Sequence, residues 1–159
     1  MHNDFVVIGS LSILGLEADF DVPKEMAMSN HVACFTKDEP DRIFELVGAL
    51  GEHSRYHEQF GFYLDAVEPN LATLPEGWKD RLIKVERDRL RAWFLEPSDA
   101  AVSKYARGEP RDIRWIRAGV VSLPIVRARM RSTTFIDIEE ERKAKTLAEA
   151  DRIWFKGLR

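Results

Sequence analysis

The sequence predicts an α+β protein: a small mixed sheet flanked by helices, followed by an all-helical C-terminal part. Three observations carry this. The apolar runs before residue 96 are short and bounded by turn chemistry, as strands are. A Gly-Ser dipeptide, Gly9-Ser10, ends the first of these runs and passes it to a helical stretch. From Pro97 onward, apolar positions recur at helical intervals, with Pro and Gly where helices start and stop. The expected division is an α/β core over residues 1–95 and a helical part over 96–159, packed on the core as one compact unit.

The elements follow in order. Asp4-Phe5-Val6-Val7-Ile8 reads as a short buried strand, and Leu11-Ser12-Ile13-Leu14 as the helix after the Gly-Ser turn. Ser29 to Phe35 is a second strand. Alternate residues of a strand share a face, so His31 and Ala33 point the same way. Lys37-Asp38-Glu39-Pro40 is a polar turn with helix-start chemistry. Asp41 to Leu50 then spaces Ile43, Phe44, Leu46, Val47 and Leu50 as a helix that stops at Gly51. Phe60 to Val67 is aromatic and strand-like, bounded by Glu68-Pro69-Asn70. Pro75-Glu76-Gly77-Trp78 makes a turn, Arg81 to Val85 alternates as a half-buried strand, and Ala92 to Leu95 is another short strand. Pro97-Ser98-Asp99 has N-capping chemistry, and its helix runs through Val102 and Tyr105 towards Gly108. Pro110 suits the first turn of the next helix, which carries Ile113, Trp115 and Ile116 and ends at Gly119. Further helices are expected from Pro124 to Arg131 and from Ile138 to Phe155, the last with Leu147, Ala150, Ile153 and Trp154 as its apolar stripe.

Composition narrows the classes. Of 159 residues, 45% are apolar and 32% charged, the balance of a globular protein. No apolar run is long enough to span a bilayer, and no basic segment with a long apolar stretch opens the chain, so a cytoplasmic protein without membrane partners is expected. Cys34 is the single cysteine, and its apolar neighbours suggest an inert buried thiol. The net charge of −3 hides an asymmetry: residues 1–75 hold 4 Lys/Arg against 13 Asp/Glu, whereas residues 76–134 hold 14 against 8. Either the basic half attracts phosphates or an acidic partner, or the two halves complement each other within one fold. There is no Walker loop, no dinucleotide fingerprint and no serine in a nucleophile-elbow context.

Four segments carry a resemblance: VVIGSLSILG (Val6–Gly15), GEHSRYHEQFGFYLDAV (Gly51–Val67), LPEGWKDRL (Leu74–Leu82) and LEPSDAAVSKYARGEPRD (Leu95–Asp112). Together they resemble a bacterial family of nucleotidyltransferase-like proteins with a polymerase-β-type fold, distantly related to the toxins of toxin–antitoxin and abortive-infection systems. The resemblance implies a strand, a Gly-Ser turn, a helix and a second strand. In active members that second strand carries two carboxylates that hold Mg²⁺ against a nucleoside triphosphate. Here those positions are His31 and Ala33, a degenerate metal site with no metal expected. Glu109 stands where the family has a basic residue, and Arg111 replaces a common lysine.

The resemblance further implies that Gly9 and Ser10 cradle a phosphate, that Asp65 is the catalytic general base, and that Lys104, Arg111 and Asp112 contact the nucleotide. Plainer roles stand beside these: Asp65 as a strand's solvent end, and Lys104 with Asp112 as a structural pair across a helix break. His53 and His57 have the i, i+4 spacing of metal ligands but no third ligand, so surface or packing roles are expected. The expected function is a degenerate nucleotidyltransferase fold that binds a nucleotide, an RNA or a protein without metal-dependent transfer and without a cofactor. Enzymatic activity stays open, with its loss favoured. One alternative is an active enzyme moving a nucleoside monophosphate onto RNA or protein in a toxin–antitoxin or defence system, with Mg²⁺ held by ligands such as Asp19, Asp21, Asp38 or Asp41. The other is an interaction module with no nucleotide.

Overall fold

Strand β1 (Asp4–Ile8) forms the centre of a five-stranded mixed sheet in the computed structural model, which describes residues 3–16 and 21–122. Its last three residues, Val6, Val7 and Ile8, are all buried, as a central strand covered on both faces requires. The remaining strands are β2 (His31–Thr36), β3 (Tyr63–Ala66), β4 (Ile83–Arg87) and β5 (Leu90–Phe94), in the order β3-β2-β1-β5-β4. β1 pairs antiparallel with β2 and parallel with β5; β2 pairs parallel with β3, and β4 antiparallel with β5. The register sets Ile8 opposite Ala33 and Ala33 opposite Asp65, a row across three strands.

The turn after β1 depends on Gly9. Its φ of 79° lies in the left-handed region that side chains disfavour, and the fully buried Ser12 locks the turn by donating from Oγ to the Gly9 carbonyl at 2.8 Å. The expected helix there is a 3-10 helix, Ser10–Gly15. The helix expected over Asp41–Leu50 is likewise a 3-10 helix, Pro40–Leu46, continued by a single α turn, α1 (Val47–Leu50). Phe60 closes a helix rather than opening a strand: α2 (Arg55–Phe60) is capped by Ser54, whose Oγ accepts from the His57 N–H at 3.2 Å. Ser54 is thus a helix start.

Two long helices follow the sheet, α3 (Pro97–Arg107) and α4 (Pro110–Ser122). Glu96, not the expected Pro97-Ser98-Asp99 run, caps α3, its carboxylate accepting from the Ser98 N–H at 3.1 Å. Asp99 is fully buried and takes a fork from Arg81 instead, at 2.8 Å from Nε and 3.1 Å from Nη2. Segment LPEGWKDRL is therefore scaffold: Trp78 enters the core and Arg81 anchors the first turn of α3. Gly108, with φ of 72°, turns the chain from α3 into α4, and α4 runs past the expected stop at Gly119.

The helices pack on the sheet through a core that includes Val6, Ile13, Met26, Leu95, Val102, Trp115 and Ile116. Among the described residues no helix is long and apolar enough to cross a membrane. The helices expected over 124–131 and 138–155 lie outside the described residues.

Candidate functional site

Where β1 ends at the Gly-Ser turn, the sheet and helices α3 and α4 enclose a cleft of about 810 Å³, a volume suited to a small organic ligand. The sheet side presents Ile8, Ala33 and Asp65 from the cross-strand row, with His31 and Ser29 at the start of β2. The helical side presents Ser103, Lys104, Arg107, Arg111 and Arg114, and Gly9 and Ser10 form the junction. Gly9, Ser10, His31, Ala33, Asp65, Lys104 and Arg111, all singled out in the sequence, therefore converge on one cleft.

Ser10 is held from both ends. Its Oγ accepts from the Lys104 ammonium at 2.8 Å, and its carbonyl accepts from the Trp115 indole N–H at 3.3 Å. The same indole N–H reaches the Met26 carbonyl at 3.1 Å, and the Lys104 ammonium lies 4.9 Å from the Trp115 ring centre. Trp115 thus ties the turn to α4. The helix after that turn is a 3-10 helix of 6 residues, so its axial dipole is small and the nearby cations dominate the cleft's attraction for anions.

Lys104 is only 3% exposed. Burial pulls its ammonium down to about pKa 8; Asp112 opposes that shift and the neighbouring Arg107 adds to it. The amine therefore exchanges its proton not far above neutrality. Asp112 does not line the cleft: it is fully buried beneath Lys104 and Arg107. It accepts from Arg107 Nε at 2.7 Å and Nη2 at 2.6 Å, from the Glu109 N–H at 3.3 Å and from Lys104 at 3.4 Å. Burial alone would raise the Asp112 carboxyl, but the Arg107 fork and the Lys104 charge outweigh it, so Asp112 ionises below its ordinary value. Asp112 orients two cations of the cleft from behind. The pairing of Lys104 with Asp112 and the placement of Lys104 in the cleft coexist.

Arg111 is more exposed and shared: its Nε lies 2.8 Å from Glu109, which also sits 3.9 Å from Arg107. The unusual acid at position 109 thus offsets part of the basic wall. Arg107, Arg114 and Trp115 were not legible as site residues. Their one signal is spacing, since 107, 111 and 114 recur at helical intervals, but the Gly108 break hides it.

At the sheet side, the positions expected to carry the metal carboxylates do face the cleft. His31 Nδ1 lies 3.3 Å from Ser29 Oγ, its Nε2 lies 4.0 Å from an Asp65 oxygen, and its ring packs 5.6 Å from Tyr63. Mg²⁺ demands several hard oxygen ligands. This wall supplies one carboxylate, an imidazole and a methyl group, a donor set that does not fit the ion. Among the described residues no three His, Cys, Asp or Glu side chains are grouped to hold a metal. Asp21, Asp38 and Asp41 are outside the cleft lining, and Asp19 is outside the described residues. His53 and His57 contact each other away from the cleft, the His53 N–H donating to His57 Nδ1 at 3.0 Å. Cys34 is buried, and burial, helped by the nearby Asp65 charge, pushes its thiol to about pKa 12.

The strand, Gly-Ser turn, helix and second strand that the resemblance implies are all present, beside a cleft lined by lysine and arginine. The chain belongs to the family described as nucleotidyltransferase of unknown function (DUF6036), whose model matches residues 1–157. No curated protein and no solved structure gives a match.

Proposed function

We propose that this protein binds a nucleotide through its phosphates in the cleft between the sheet and helices α3 and α4, and that it does so without metal-dependent transfer. The observation that carries the reading is the pairing of opposites in one cleft: a preorganised Lys104–Ser10 contact with three arginines nearby, facing a sheet whose metal positions are His31 and Ala33. A fixed ammonium and planar guanidinium groups supply phosphate recognition. Gly9 and Ser10 position the phosphates and Arg111 supplies an exposed contact. Asp112 acts indirectly, by holding Lys104 and Arg107. The exposed Met28 and Leu71 on the cleft rim offer apolar surface to a base.

Asp65 faces the cleft and supports the runner-up, an active enzyme in which it takes a proton from an attacking hydroxyl of RNA or protein, in a toxin–antitoxin or defence setting. That reading needs carboxylates at the two β2 positions, which are His31 and Ala33. Thermal-shift measurements with each NTP, with and without Mg²⁺, separate the readings, because a ligand that binds only the folded state raises the melting temperature. A shift without pyrophosphate release supports binding. Release of pyrophosphate supports the enzyme. No shift with any nucleotide leaves an interaction module.

A further inference from the structure

Where the related enzymes are expected to place metal-binding carboxylates, this cleft places an imidazole near a single carboxylate. His31 and Asp65 approach to 4.0 Å, and Ser29 on the far side of the ring, 3.3 Å from Nδ1, turns Nε2 towards Asp65. Both side chains are partly open to solvent, 32% for His31 and 47% for Asp65, and both line the cleft shared with Lys104 and the arginines. We infer that His31 is an anion-binding residue of the cleft, and that a proton on its imidazole takes the place of the divalent cation in admitting phosphate. This rests on the nucleotide-binding reading and adds its regulation.

The charge bookkeeping fixes the direction. With His31 neutral, the His31–Asp65 pair carries −1 and repels a phosphate entering the cleft. With His31 protonated, the pair is neutral and no longer opposes the helical wall. Imidazole is the side chain whose charge ordinarily changes between about pH 5 and 8. Reciprocity then requires a bound phosphate to hold the proton on His31.

The other groups near the ring can be separated. β3 brings Tyr63 beside Asp65, α2 brings the His57 ring to 4.7 Å from Tyr63, and Lys104, Arg107, Arg111, Arg114 and Glu25 line the rest of the cleft. His57 does not line the cleft and is unchanged in all three proteins. Lys104 releases its proton near pH 8, and its contribution is common to the wild-type protein and both variants, so it cancels in their ratios.

The test is calorimetric titration with ATP in EDTA from pH 5.5 to 7.5, on the wild-type protein and on His31→Gln and Asp65→Asn. ATP's own protonation is common to all three and cancels in the ratios. In a cleft open to water, where the effective dielectric approaches that of water, removing one unit charge about 4–6 Å from a phosphate changes affinity by roughly three- to fivefold. The wild-type protein should gain that factor over His31→Gln as the pH falls. Asp65→Asn should bind more tightly than wild type at pH 7.5. An NMR titration of the wild-type His31 ring should show its midpoint moving up when ATP is added, a readout independent of any variant's folding. Parallel profiles for wild type and His31→Gln, with an unmoved His31 midpoint, overturn this inference and leave nucleotide binding standing. No ATP binding at any pH, with or without Mg²⁺, overturns both.

Discussion

Replacing Lys104 by methionine tests how the cleft holds its charge. The substitution keeps the length of the side chain and removes the ammonium from a site where only 3% of the residue is exposed. Asp112 keeps its Arg107 fork and the Glu109 N–H, so the carboxylate is not left bare. In the wild type the folded amine loses its proton near pH 8, against 10.5 for a free lysine. Below the folded value both states are protonated, and the buried charge costs stability. Between the two values the unfolded chain still holds a proton that the folded chain has released, so stability rises with pH. With those two values the rise is about 2 kcal/mol between pH 7 and 9.5. Urea denaturation of both proteins across that range measures it. The wild-type curve should climb by that amount relative to Lys104→Met. Curves that run parallel would show that the ammonium is solvated or fully compensated, and the picture of a desolvated, phosphate-ready cation would fail.

Arg81→Ala should lower the unfolding free energy by about 3–5 kcal/mol, because it strands the fully buried Asp99 without its cation; Asp99→Asn added to it should recover part of the loss in a chemical denaturation series. Glu109→Gln releases Arg111 and Arg107 from an exposed acid, so phosphate affinity by calorimetry should rise by a few-fold, about 0.5–1 kcal/mol, with the melting temperature nearly unchanged. Cys34 should resist iodoacetamide at pH 8 in the native protein and react readily once unfolded, since burial holds its thiol near pKa 12; rapid native labelling, read by mass spectrometry, would contradict its placement in the core.

Much of the fold could be read from the chain because its signals are local. Val6–Ile8 and Val32–Phe35 are apolar runs interrupted by a Gly-Ser turn, and they are adjacent strands of one sheet. Pro97, Gly108 and Pro110 mark the boundaries of α3 and α4 by backbone chemistry alone. The misread places are those where a local signal has two meanings. Phe60 suits a helix end as well as a strand start, and Asp99 suits a cap as well as an ion pair with Arg81, 18 positions earlier. The cleft was half legible. Ser10, Lys104 and Arg111 could be named through resemblance. The bond from Lys104 to Ser10 spans 94 positions, and the Trp115 anchor 105, and no local pattern encodes such distances. Asp112, expected to meet the nucleotide, is buried behind the residues that line the cleft.

Isothermal titration with ATP, run once in EDTA and once in excess Mg²⁺ and repeated on Arg107→Ala/Arg111→Ala, tests metal-free nucleotide binding most directly. Metal-free binding predicts that ATP binds in EDTA at least as tightly as in Mg²⁺, because Mg²⁺ neutralises phosphate charge that the cleft attracts. Loss of two charge-assisted contacts should weaken it at least tenfold in the double variant. ATP binding that appears only with Mg²⁺, or that is indifferent to both arginines, would contradict it.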